Sequence, residues 1–132
     1  MPNIPADLKY GHDHMWARPT GGSGLIRVGL TDFAQDSLGD VVDITLPSLD
    51  QAVDAGQACG EIESVKSLSD LIAPVSGTVR TRNDELATAP ELVNSDPYGQ
   101  GWIFEVEADP ATLSKQLGAL LDAHAYGDLT GA

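Results

Sequence analysis

Fourteen glycines and eight prolines are spread through 132 residues, so a turn-forming residue falls at roughly every sixth position. Glycine admits backbone angles that other residues avoid, and proline fixes φ and removes a hydrogen-bond donor. Long uninterrupted helices or strands are therefore excluded over most of the chain. Between the breaks lie short β-branched or alternating runs at 25–30, 41–46, 58–63, 78–82 and 102–107. Such runs read as strands of a thin, turn-rich core. With aromatic residues at only 5 %, that core must be built mainly from Val, Ile, Leu and Ala. The expected fold class is mostly β, a sandwich or flattened barrel with short peripheral helices, in one domain spanning 1–132.

Local chemistry places the elements more closely. The runs on either side of the glycine-rich segment 19–24 form an antiparallel hairpin. Thr31 caps a short helix from Asp32 to Leu38, which Gly39 stops. Pro47 ends the strand 41–46, and a tight turn at 54–57 leads into the run 58–63. That turn and the one at 74–77 each precede a strand, a faint internal repeat. Asn83 is a candidate cap for a turn over 84–86, residues 90–93 form another turn, and 94–101 is the strongest loop signal. Asp109 and Pro110 open a single C-terminal helix with Leu113, Leu117, Leu120 and Leu121 on one face.

Twenty acidic residues against seven basic ones give a formal net charge of -13. That balance argues against nucleic acid and anionic membranes as partners and favours basic protein surfaces or small molecules. Residues 1–10 contain no apolar signal core, and no run approaches 18 apolar residues. These features suggest a reducing compartment, the bacterial cytoplasm or, for a eukaryotic mature chain, the mitochondrial matrix. Cys59 is the sole cysteine and reads as a small core residue. The patterns of serine hydrolases, C-x-x-C redox sites, zinc proteases and nucleotide-binding loops are all missing. His12, Asp13 and His14 cluster, but no third metal ligand can be assigned, so exposed loop histidines are the plainer reading. Nothing here marks an enzyme.

One position breaks the acidic pattern. Eight carboxylates and no basic residue lie between Arg27 and Lys66, and Lys66 is the sole base from Val28 to Val79. Small polar residues flank it, and a second strand starting near Asp70 puts it at a hairpin tip. Two readings stay open: a solvated, ion-pairing lysine, or an amine presented for attachment of an acyl cofactor.

The segment Glu63-Ser64-Val65-Lys66-Ser67-Leu68-Ser69-Asp70-Leu71-Ile72-Ala73-Pro74-Val75-Ser76-Gly77 resembles the lipoyl-lysine region of the glycine cleavage system H protein family. The resemblance continues collinearly through 28–35, 38–42, 91–99, Gly101-Trp102 and 120–123, covering about 8–126. It implies a lipoyl-domain-like β-sandwich (a barrel-sandwich hybrid) and a non-catalytic carrier, with lipoic acid joined by an amide to Lys66. The implied partners are a pyridoxal-phosphate-dependent glycine decarboxylase, a tetrahydrofolate-dependent aminomethyltransferase, dihydrolipoamide dehydrogenase and lipoyl-attaching enzymes. Aminomethyl groups would be loaded by the first, passed to the second, and the dithiol reoxidised by the third. Glu63 and Gly77 resemble positions that attachment enzymes read, although a turn's backbone demand would equally explain Gly77. Asp70 matches an acid that contacts the bound amine in a cleft shielding the loaded arm.

Two residues depart from the family pattern. Met15 stands between His14 and Trp16 where a glutamate is usual, and Asp43 stands where an aromatic is usual. Met15 cannot accept a charge-assisted hydrogen bond, and Asp13 is the candidate substitute. These departures leave room for an H-like lipoyl protein acting as lipoyl relay donor or redox carrier. A biotin carrier would place methionine on both sides of the lysine, unlike Val65 and Ser67. An unmodified β-module that only binds proteins is the remaining reading.

Overall fold

The computed structural model describes residues 4–11, 13–20 and 24–130. Among these, nine strands form two antiparallel sheets. The larger sheet runs in the order β1 (Lys9–Tyr10), β2 (Met15–Pro19), β3 (Leu25–Leu30), β9 (Phe104–Glu107), β8 (Gly77–Arg82) and β5 (Ala52–Val53). The smaller orders β4 (Val41–Thr45), β6 (Ala58–Ser64) and β7 (Leu68–Ile72). The mostly β expectation with short peripheral helices therefore holds.

Alternation of side chains explains how the sheets share a core. In β6, Ile62 and Ser64 are buried whereas Glu61 and Glu63 are exposed. The period of two thus sends carboxylates outward and Ile62 inward, opposite Ile44 of β4. From the larger sheet Val28, Val79, Phe104 and Val106 meet them, all fully buried. Strand β2 is buried on both faces: Met15 and Ala17 join this core, while Trp16 enters a second cluster with Leu8, Tyr10 and Tyr126.

Helix α1 (Asp32–Leu38) has the expected boundaries: Thr31 Oγ accepts from Ala34 N at 3.1 Å, and Gly39 terminates the helix at φ 78°. Other boundaries differ. Strand β7 begins at Leu68, so the Lys66 turn is tighter than a strand starting at Asp70 would make it. Asn83 does not cap the 3-10 turn at Asp84–Ala87; its Nδ2 donates to the carbonyls of Gln100 and Trp102, 2.8 Å each. That second bond takes the Trp102 carbonyl out of the ladder, and β9 starts at Phe104 rather than Trp102. Helix α2 (Leu92–Ser95) takes in the first residues of the expected loop. The C-terminal helix is two: α3 (Pro110–Ala119) and α4 (Ala123–Thr130). Leu121 pairs its N–H and carbonyl with Tyr10, at 2.7 and 2.8 Å, and so cannot also serve a helix. Among the described residues no helix is long and apolar enough to cross a membrane.

Candidate functional site

Lys66 stands in the three-residue tip between β6 and β7, with its side chain in solvent. Ser64, buried at the end of β6, builds the turn. Its N–H donates to the Ser67 carbonyl at 2.8 Å, and its hydroxyl oxygen accepts from Lys66 N at 3.2 Å and Ser67 N at 3.1 Å. Val65 N donates to the Asp40 carbonyl at 3.0 Å, tying the tip to the segment after α1. The backbone under Lys66 is therefore fixed while its amine is free to move. Lys66 forms no salt bridge among the described residues. Glu63 is exposed on the same hairpin, and Val65 and Leu68 are exposed beside it, at 66 and 62 %.

A cleft of about 240 Å³ opens between α1 and the β6–β7 hairpin. Phe33, Ala34 and Leu38 form one wall and Ile62 the other, while Asp13, His14, Ser69 and Asp70 supply its polar groups. Asp70 lines this cleft, and Asp13 joins it at the same opening. Met15 takes no part: it is 1 % exposed within the principal core, where a carboxylate would need burial. Asp43 sits opposite Glu63 on the exposed face of β4 and is not part of the cleft wall. His12 lies outside the described residues, and among the described ones no three groups could hold a metal.

His14 is a cleft residue that its loop setting did not reveal. It adopts φ 67°, held by His14 N to Gly11 O and Thr31 N to His14 O, both 3.1 Å. Its Nδ1 lies 2.8 Å from the Tyr126 hydroxyl, which is 2.7 Å from Thr31 Oγ. This chain links α4, the cleft and the cap of α1, and Phe33 packs on the imidazole with ring centroids 5.0 Å apart. Burial lowers the His14 pKa below its ordinary 6.5, against a smaller opposing effect of Asp13. Below pH 6.5 the unfolded chain therefore binds more protons here than the folded one. The stabilisation from a neutral His14 is complete above that pH and is lost as pH falls below it. Urea midpoints measured at pH 7.5 and 5.5 should drop more for the wild type than for His14→Gln; equal drops would contradict this coupling.

Cys59 is half-buried, and burial raises its thiol pKa to about 11. Since the thiolate is the nucleophile and its lower population is only partly offset by its higher nucleophilicity, alkylation by iodoacetamide at pH 8 should run roughly tenfold slower than for an unperturbed thiol. A rate like that of free cysteine would show the thiol to be exposed.

Comparison with known proteins decides what this arrangement belongs to. The family described as glycine cleavage H-protein matches residues 8–131. The chain belongs to the glycine cleavage H-protein family. Similar proteins include the glycine cleavage system H protein of Mycobacterium avium (strain 104), 53 % identical over 132 residues, covering 98 % of this chain and 99 % of that protein. That of Mycolicibacterium gilvum (strain PYR-GCK) is 51 % identical over 126 residues, covering 96 and 95 %. A crystal structure of a glycine cleavage system H protein from Mycobacterium marinum superposes with a TM-score of 0.83 at 37 % identity, covering 98 % of this chain and all of that one. The two-sheet architecture is accordingly lipoyl-domain-like, and this H-protein is a carrier component of the glycine cleavage system rather than an enzyme.

Proposed function

We propose that the whole chain works as one carrier domain whose arm is lipoic acid in amide linkage to Lys66. The observation that carries this reading is the hairpin tip itself. It is a braced turn holding one unpaired amine beside a cleft that bears two carboxylates. When attached, the group supplies the disulfide that Cys59 alone could not form, able to accept an aminomethyl group and be reduced. The chain's own residues do the rest. Ser64 keeps the point of attachment rigid, and Phe33, Leu38 and Ile62 give the arm an apolar resting wall. Asp70 and Asp13 face that space as acceptors for an ammonium. Glu63 offers its exposed carboxylate to the attaching enzyme. Gly77 acts on recognition indirectly, by letting β8 lie flush on β9.

In this reading the H-protein takes aminomethyl groups from glycine decarboxylase and delivers them to aminomethyltransferase. Dihydrolipoamide dehydrogenase reoxidises the arm, all in the bacterial cytoplasm. Asp13 at the cleft supplies a carboxylate where Met15 offers none, which favours this reading over a relay or redox carrier. The deciding experiment supplies the purified lipoylated protein to glycine decarboxylase and follows exchange of labelled bicarbonate into glycine. Exchange above the carrier-free control supports the reading; its absence overturns it.

A further inference from the structure

The 94–101 segment is a strong sequence signal that the carrier function has so far left without a task. Asn94, in α2, uses its whole amide on α1 and the stretch that follows it. Its Oδ1 accepts from Val41 N at 2.9 Å, and its Nδ2 donates to the Gly39 carbonyl at 2.8 Å and to Gln35 Oε1 at 3.0 Å. The stretch so held carries the Asp40 carbonyl that receives Val65 N from the lysine tip. Gly39 lies directly under the lysine. A Cβ at this position would stand 3.2 Å from Lys66 Cε and 3.7 Å from both Cδ and Nζ. Gly39 also follows Ser37 and Leu38, which line the cleft. The bare backbone of Gly39 is thus a sill between the lysine stem and the cleft.

We infer that Gly39, clamped by Asn94, is the seat across which the arm is laid into the cleft, and that Asn94 is a positioning residue for the carrier reaction. The inference rests on the reading that Lys66 bears the arm. Two consequences follow from geometry. A side chain at Gly39 occupies the path of the stem, however well the backbone is preserved. Replacing the Asn94 amide by a carboxylate keeps an acceptor for Val41 N but sets an anion against the Gly39 carbonyl, which frees the sill.

The test uses the lipoylated protein loaded with glycine by its decarboxylase. The remaining free thiol of the arm is alkylated with iodoacetamide, the site and rate being read by mass spectrometry. The variants are Gly39→Asn and Asn94→Asp; Gly39 adopts φ 78° and ψ -159°, a region essentially confined to glycine, so Gly39→Asn also strains the backbone and is read only at temperatures well below its own thermal midpoint. An arm seated nearly all the time leaves an exposed state of about 0.1–10 %, so unseating it should accelerate alkylation about tenfold or more. Thermal midpoints are recorded alongside, because a purely structural role for either residue would lower the midpoint without changing arm alkylation in the folded protein. A wild-type arm protected relative to free dihydrolipoamide, with faster alkylation in both variants, supports the seat. Protection equal in wild type and variants overturns the seat and leaves the carrier reading intact. An unprotected wild-type arm overturns both the seat and the proposed resting place in the cleft.

Discussion

Lys66→Arg should abolish lipoylation and bring glycine–bicarbonate exchange down to the carrier-free background. Arginine keeps the charge and nearly the length of lysine, but its guanidinium does not release a proton in proteins and so offers no nucleophile for amide formation. The turn beneath it should survive, because the hydrogen bonds that build it come from the backbone and from Ser64 rather than from the lysine side chain. As an exposed substitution it should change stability by no more than about 0.5 kcal/mol. Loss of carrier function with an unchanged melt therefore isolates the amine. Intact mass is the direct readout, and charge gives a second one: acylation removes one positive charge, taking the formal net from -13 to -14, whereas the variant stays at -13. Lys9 and Lys115 are the other lysines. A lipoyl adduct on either of them, or exchange sustained by Lys66→Arg, would overturn the assignment of the arm.

What the residues revealed and what they concealed divides by the range of the interaction. The bounds of α1 were legible because both ends are local: Thr31 reaches three residues ahead to Ala34 N, and Gly39 takes a left-handed angle at its own position. The lysine tip was legible because an acidic run broken once, between small polar residues, has few explanations. Misreadings begin where a partner is distant. Asn83 looks like a cap, yet its amide spans to residues 100 and 102. The leucines after 113 look like one helix, but Leu121 is claimed by Tyr10, more than a hundred residues away. Ser64 reads as one more polar residue until the register makes it the brace of the turn.

The site shows the same division. Asp70 was singled out through the resemblance of its segment and Asp13 as a candidate substitute for a missing acid, whereas His14 joins them at the cleft only because β2 and α1 bring the start of the chain there. Met15 reads as a missing carboxylate in sequence and as a core residue in space. Strand alternation could have signalled this, since Met15 and Ala17 share a face and Trp16 has the other.

Gly77→Ala should destabilise the fold severely for the addition of a single methyl group. Gly77 opens β8 opposite Val53, and a Cβ there would collide with the Glu107 carbonyl oxygen and with Val106 Cγ1. Neither obstacle yields readily: the first is backbone within the β8–β9 ladder, and the second belongs to a fully buried valine. Overpacking of this kind costs about 1–3 kcal/mol, occasionally more. For a domain of this size that corresponds to a fall of roughly 4–11 °C in Tm. The position lies on the larger sheet, and Lys66 on a hairpin of the smaller one. Lipoylation measured well below the new midpoint should therefore proceed at the wild-type initial rate per folded molecule. The opposite pattern, an unchanged melt with lost lipoylation, would show that the attaching enzyme reads Gly77 itself. That outcome would replace the packing account of this glycine with direct recognition.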